Sequence, residues 1–117
     1  MLALVLSGGK LNRMKRIYIS GKITGLDTLE AARKFQDAEH YLVMNYDNIE
    51  VINPIREVPY EKGKTWEQYV LEDISLLFGC DSIFMLDNWE DSKGARIECD
   101  IAKGMSKTIL FQSALAN

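Results

Sequence analysis

Two carboxylates stand where helical periodicity asks for apolar side chains. On a wheel of about 100° per residue, Glu98 falls between Gly94, Ala95, Ile101, Ala102 and Met105, with Arg96, Asp100 and Lys103 opposite. Asp73 falls between Trp66, Tyr69, Val70, Leu76 and Leu77, with Gln68, Leu71 and Ser75 opposite. A carboxylate leaves water at a high cost and is almost never fully buried without a partner or a use. One inward Asp or Glu is ordinarily a structural group bonded to backbone N–H or to a Lys. Two of them, on helices of neighbouring βα units, point instead to a paired-carboxylate site. One group then serves as nucleophile or base, and the other orients it or shuttles protons.

Other residues can join such a pair. Tyr18 lies within an apolar strand, and its hydroxyl needs a partner if buried; a carboxylate would serve. Ser20, Gly21, Lys22 and Thr24 form a polar turn before a helix, suited to a phosphate or a sugar hydroxyl. That turn has neither the G-x-G-x-x-G pattern nor a Walker ending, and an ordinary βα turn with a solvated Lys fits equally well. Ser92 heads the helix that carries Glu98, as a plain N-cap or facing an anion. Trp89, in a polar loop, is the better stacking surface for a base, whereas Trp66 reads as core. His40 reads as solvated, and Cys80 and Cys99 as small core residues.

The elements that position these groups alternate. Arg16–Ser20 reads as a strand and Gly21–Gly25 as a loop. Asp27 opens a helix to about Met44 in a capping-box pattern with Glu30, its inward face Ala31, Phe35, Ala38 and Leu42. Asn45–Asn48 is a turn, Ile49–Ile52 a strand stopped by Asn53-Pro54, and Ile55–Lys64 a polar loop. A helix from about Thr65 to Phe78, a strand Ser82–Leu86, a polar loop Asp87–Lys93, a helix Gly94–Met105 and a strand Thr108–Gln112 complete the chain. This order predicts an α/β three-layer sandwich with a parallel sheet of four strands, order 2-1-3-4. A fifth strand would have to come from the first residues. Ligands in such folds sit beyond the carboxyl ends of the strands at the switch point. That places Ser20–Thr24, Asn53, Asp87, Trp89, Asp91, Ser92 and Gly94 near the ligand.

Composition narrows the partners. The chain has 117 residues, enough for one domain with a real core. With 14 Lys and Arg against 17 Asp and Glu, the net charge is −3 and no phosphate-backbone footprint is expected, so duplex nucleic acid is an unsuitable partner. Two cysteines make no disulfide framework, which suits a reduced, cytoplasmic compartment, and one His with two Cys is a poor zinc set. The run Leu2–Leu6 is too short to span a membrane, and its basic residues follow it, unlike a signal peptide. Residues 1–13 read as a leader or a mis-assigned start before Met14. No cofactor or metal is called for.

The ordered set IYISG, Asp73 in LEDISLLFGCD, and GARIECDIA resembles the nucleoside 2-deoxyribosyltransferase superfamily. It is most similar to a short branch with a W-x-x-S-x-G-A-x-x-E pattern, here Trp89, Ser92, Gly94, Ala95 and Glu98. The similarity spans Lys15–Gln112. The resemblance implies a flavodoxin-like, Rossmann-like domain that cleaves the N-glycosidic bond of deoxynucleosides. It implies that Glu98 is the nucleophile, with Asp73 and Tyr18 beside it, and that a covalent 2-deoxyribosyl intermediate is released by a second base or by water. Where the transferases usually carry a sugar-binding Asp six residues before the glutamate, this chain has Ser92, with Asp91 one residue off. A Ser there resembles the deoxynucleoside 5′-monophosphate N-glycosidases, which use it for phosphate and have polar or basic residues where Lys22 and Thr24 stand. The family's sites are often completed by a neighbouring subunit, so a homo-oligomer is expected. The chemistry needs no metal: a carboxylate beneath C1′ stabilises the oxocarbenium-like sugar and can capture it.

Three further classes use the same fold. A nucleotide-sensing module that had lost its chemistry would bind saturably without turnover, through Lys22 and Ser92. A receiver-like signalling domain would need acidic residues at the end of the first strand, where Ile17–Ser20 has none. An FMN carrier would have a phosphate loop richer in Ser and Thr.

Overall fold

The computed structural model describes residues 14–115. The expectation of a leader or extra strand in residues 1–13 lies outside the described residues. The elements follow the alternation read above: β1 Lys15–Ser20, α1 Thr28–Asn45, β2 Ile49–Ile52, α2 Pro54–Glu57, α3 Trp66–Phe78, β3 Ser82–Met85, α4 Lys93–Gly104, β4 Thr108–Phe111 and α5 Gln112–Leu115. The four strands form one parallel sheet in the order β2-β1-β3-β4, the flavodoxin-like arrangement. No described helix is long and apolar enough to cross a membrane.

The period-two alternation of strands sorts the core onto two faces. Ile17 and Ile19 of β1 pack with Val51, Phe84 and Leu86 against Phe35, Ala38 and Leu42 of α1. Tyr18 of β1 faces the other way, with Ile83 and Met85, against Leu77 of α3 and Ala95, Cys99 and Ala102 of α4. Ser20, two residues beyond Tyr18, therefore shares the α3/α4 face. Cys80 and Cys99 are buried free thiols, and His40 is exposed, as read.

Local chemistry sets the helix starts. The Asp27 carboxylate accepts from the Leu29 and Glu30 amides at 3.1 and 3.2 Å. Thr65 and Gln68 form a reciprocal capping box at 3.2 and 2.8 Å. Several element ends shift by one residue, and two boundaries differ by a new element. The loop assigned to Ile55–Lys64 begins instead with the single-turn helix α2: Asn53 caps the Ile55 amide at 3.0 Å and Pro54 occupies the first helical position. One turn has no periodicity to read. Gln112 leaves the strand to start α5, and its side-chain oxygen accepts from the Asp87 amide at 2.9 Å.

Arg56 anchors α2, with both oxygens of Glu39 on α1 within 2.7 Å of its Nη1 and the Val51 carbonyl 3.1 Å from its Nη2. Gly21 lets β1 leave the sheet: a Cβ there would lie 2.6 Å from Cδ1 of buried Leu86.

Candidate active site

β1 and β3 part company with their connections at the sheet's switch point, and a cavity of about 600 Å³ opens over the carboxyl end of β1. Tyr18 and Ser20 of β1 and Glu98 of α4 meet at its floor. The Ser20 hydroxyl donates to Glu98 Oε1 at 2.6 Å, and the Tyr18 hydroxyl donates to Oε2 at 2.8 Å. Both donors are fully buried, and Glu98 is 6% exposed. No described Lys or Arg forms an ion pair with Glu98 or Asp73; the ion pairs of Arg16, Arg56 and Lys64 are made with other carboxylates.

Asp73 of α3 lines the same cavity. Its pKa is raised to about 7, first by burial and next by the charge of Glu98, so the two carboxylates feel each other. Glu98 is itself raised to about 7 by burial, against the pull of the Ser20 and Tyr18 hydrogen bonds, which favour its charged form. Burial and the two carboxylates push the Tyr18 phenol well above its usual value, so it stays a donor. Lys64, whose charge opposes the rise at Asp73, is held 2.5 Å from Glu72 and 3.7 Å from Glu61. The pair thus resists carrying two negative charges and can hold one proton between its members near neutrality.

Of the residues singled out from the sequence, the cavity brings together Tyr18, Ser20, Gly21, Thr24, Asp73, Asp91, Ser92, Gly94 and Glu98. Ser20, read as a substrate contact, spends its hydroxyl on Glu98. Ser92 caps α4 through the Ala95 amide at 3.1 Å while still facing the cavity. Four residues are not in the cavity wall. Asn53 is committed to its cap and to Glu39, 3.3 Å away. Lys22 donates its amide to the Asn88 side chain at 3.0 Å. Asp87 is exposed and tied to Gln112. Trp89, read as a stacking surface, lies in a 3₁₀ turn (Trp89–Asp91) that folds it onto Phe111, ring centroids 5.9 Å apart.

The tryptophans exchange roles. Trp66, read as core, lines the cavity with the Lys93 ammonium 4.9 Å from its ring centroid. The wheel marked its face as inward, and at the first turn of α3 inward means the cavity. Tyr60, Tyr69 and Lys93 were also missed; Tyr69 shares the face of Asp73, which was the available signal. Met105, placed on the inward face of α4, is 47% exposed because it ends the helix.

A family model described as "Domain of unknown function (DUF4406)" matches residues 15–111. No curated protein matches the sequence. Among solved structures, one described as "2-desoxiribosyltransferase from Leishmania mexicana" aligns with a TM-score of 0.59 at 19% identity, covering 83% of this chain and 63% of that one. The chain thus spans less than two thirds of that protein's length and shares its fold.

Proposed function

The chain belongs to the family described as domain of unknown function DUF4406, and from its site we propose that it cleaves the N-glycosidic bond of a deoxynucleoside or its 5′-monophosphate through a glycosyl intermediate on Glu98. The observation that carries this reading is the carboxylate pair: Glu98 held by two buried hydroxyls with no cation on it among the described residues, and Asp73 raised beside it in one cavity. The fold shared with the Leishmania mexicana transferase supports the same reading.

The chemistry follows from the single proton. With Asp73 protonated and Glu98 ionised, the bond from C1′ to the base breaks with its electron pair leaving on the base nitrogen, which takes the proton of Asp73. Positive charge develops at the sugar and Glu98 captures it, forming a C1′–O bond. Water or the nitrogen of a second base then attacks C1′. The C1′–O bond breaks, the electrons return to Glu98, and Asp73 takes the proton of the attacking group. Tyr18 and Ser20 hold the carboxylate in one orientation and stabilise its charge between turnovers. Ser92, Asp91 and Lys93 lie on the polar side of the cavity and are proposed to receive the sugar and its 5′ group.

Incubation with deoxynucleosides and their 5′-monophosphates, with and without a second base, is expected to release free base or yield the exchanged nucleoside. Glu98→Gln is expected to lower kcat by at least about 10³-fold. A 2′-fluoro substrate, which slows both steps, is expected to leave a mass increase of one glycosyl group on the wild-type chain. Absence of release and exchange with every compound would exclude the reading.

A further inference from the structure

We propose that the side of the cavity built by α1 and α2 receives an apolar substituent on the leaving base, so that the substrate is a nucleoside or nucleotide whose base carries an aliphatic or aromatic group. This rests on the N-glycoside reading above.

The cavity crosses the carboxyl end of β1, from the carboxylates on the α3/α4 face to the α1 face. There its wall is Leu26, Ala31, Phe35, Ile55 and Val58, all buried or half-buried. The polar side chains on that side, Thr24, Thr28 and Tyr60, are exposed at the rim. The amides of these wall residues are spent as well. The Leu26 amide donates to the Ile23 carbonyl at 3.2 Å, Ala31 to Asp27 at 2.9 Å, and Val58 to Pro54 at 2.9 Å, while Ile55 donates to the Asn53 side chain at 3.0 Å. The ring nitrogens and carbonyl oxygens of a base pushed into this wall would lose water and find no donor. Apolar atoms gain by leaving water for the same wall. The lobe is also preformed, since Arg56 ties α2 to Glu39 and to the Val51 carbonyl. The polar groups gather on the other side, around Asp91, Ser92 and Lys93. The site is therefore divided: one half carries Tyr18, Ser20, Asp73, Ser92 and Glu98 in its wall, whereas the wall of the other half is apolar, with hydroxyls only at its exposed rim.

The test compares matched substrates: 2′-deoxyuridine with its 5-alkyl derivatives, and 2′-deoxyadenosine with its N6-alkyl derivatives, each as nucleoside and 5′-monophosphate. In at least one series the alkylated compound is expected to show a kcat/KM about tenfold or more above its parent. Ile55→Phe, which fills the lobe, and Val58→Asn, which makes it polar, are expected to bring that ratio toward one. An alkyl group that lowers or leaves kcat/KM in both series overturns the proposal and leaves the glycosidase reading standing. No turnover of any compound overturns that reading. The lobe is then judged by calorimetric binding of the same compounds to the wild-type chain. Affinity about tenfold or more tighter with the alkyl group sustains the lobe, and equal affinity overturns it.

Discussion

Glu98 is raised from its usual 4.5 to about 7 by burial. Between those values the folded protein keeps a proton that the unfolded chain has released. Stability therefore falls as pH rises through that window. Glu98→Gln removes the titration and retains the shape. The wild type is expected to lose up to about 3 kcal/mol relative to this variant between pH near 4.5 and pH above 7, read by urea denaturation at the two ends. Parallel pH profiles would contradict the burial argument. Under the proposed mechanism the same substitution should thus lower turnover while strengthening the fold at neutral pH. In the proposed mechanism Asp73 has the complementary role. A pair that works with one proton gives a bell-shaped profile around neutrality. Asp73→Asn is expected to remove the alkaline limb and to lower kcat by about 10²–10⁴-fold, measured as kcat against pH. Both carboxylates were legible because an acidic residue on an apolar helical face violates a strong rule. The need of Tyr18 for a carboxylate was legible for the same reason. The fate of the Ser20 hydroxyl was not, because a one-residue hydroxyl has no periodicity and its partner lies 78 residues away.

At the scale of elements, the turn after β1 decides how closely the strand can approach its neighbour. A methyl at Gly21 would meet Leu86 at 2.6 to 2.9 Å, and Leu86 cannot retreat: it is 2% exposed and its amide donates to the Ser20 carbonyl at 2.8 Å. Gly21→Ala is expected to cost about 1–3 kcal/mol in chemical denaturation, and activity should fall with it because Ser20 is the adjacent residue. An unchanged midpoint would mean that the turn relaxes freely. The helices α1, α3 and α4 were readable from their 3.6-residue periodicity and their caps. α2 was not, although Asn53-Pro54 is a sound start signal, because a single turn is too short to distinguish from loop. The misplacement of Trp89 has a related cause. Its polar neighbours suggested exposure, while the 3₁₀ turn rolls the indole inward onto Phe111. Pattern identifies the inward face of an element but does not say whether core or cavity lies there, which is how Trp66 was misjudged.

At the scale of the molecule, the order β2-β1-β3-β4 was readable from the alternation of elements and the handedness of parallel crossovers. That order puts the two outward connections on opposite sides of β1 and so opens the cavity. The room on the α1/α2 side was not legible, because it depends on how far apart packed elements stand. A ligand that fills the cavity binds only the folded chain. At a concentration 100 times its Kd it is expected to add about 2.7 kcal/mol, seen as a rise in Tm in a thermal scan. A nucleoside that is turned over but gives no such rise at saturation would be inconsistent with a preformed cavity. The bonds at the floor join residues 80 and 78 positions apart. During translation, β1 emerges with its two hydroxyls long before the ribosome has read the codon for Glu98. Until α4 has been made and docked, the hydroxyls of Tyr18 and Ser20 have no Glu98 to hold, so the floor of the cavity is assembled only after its last member has been synthesised.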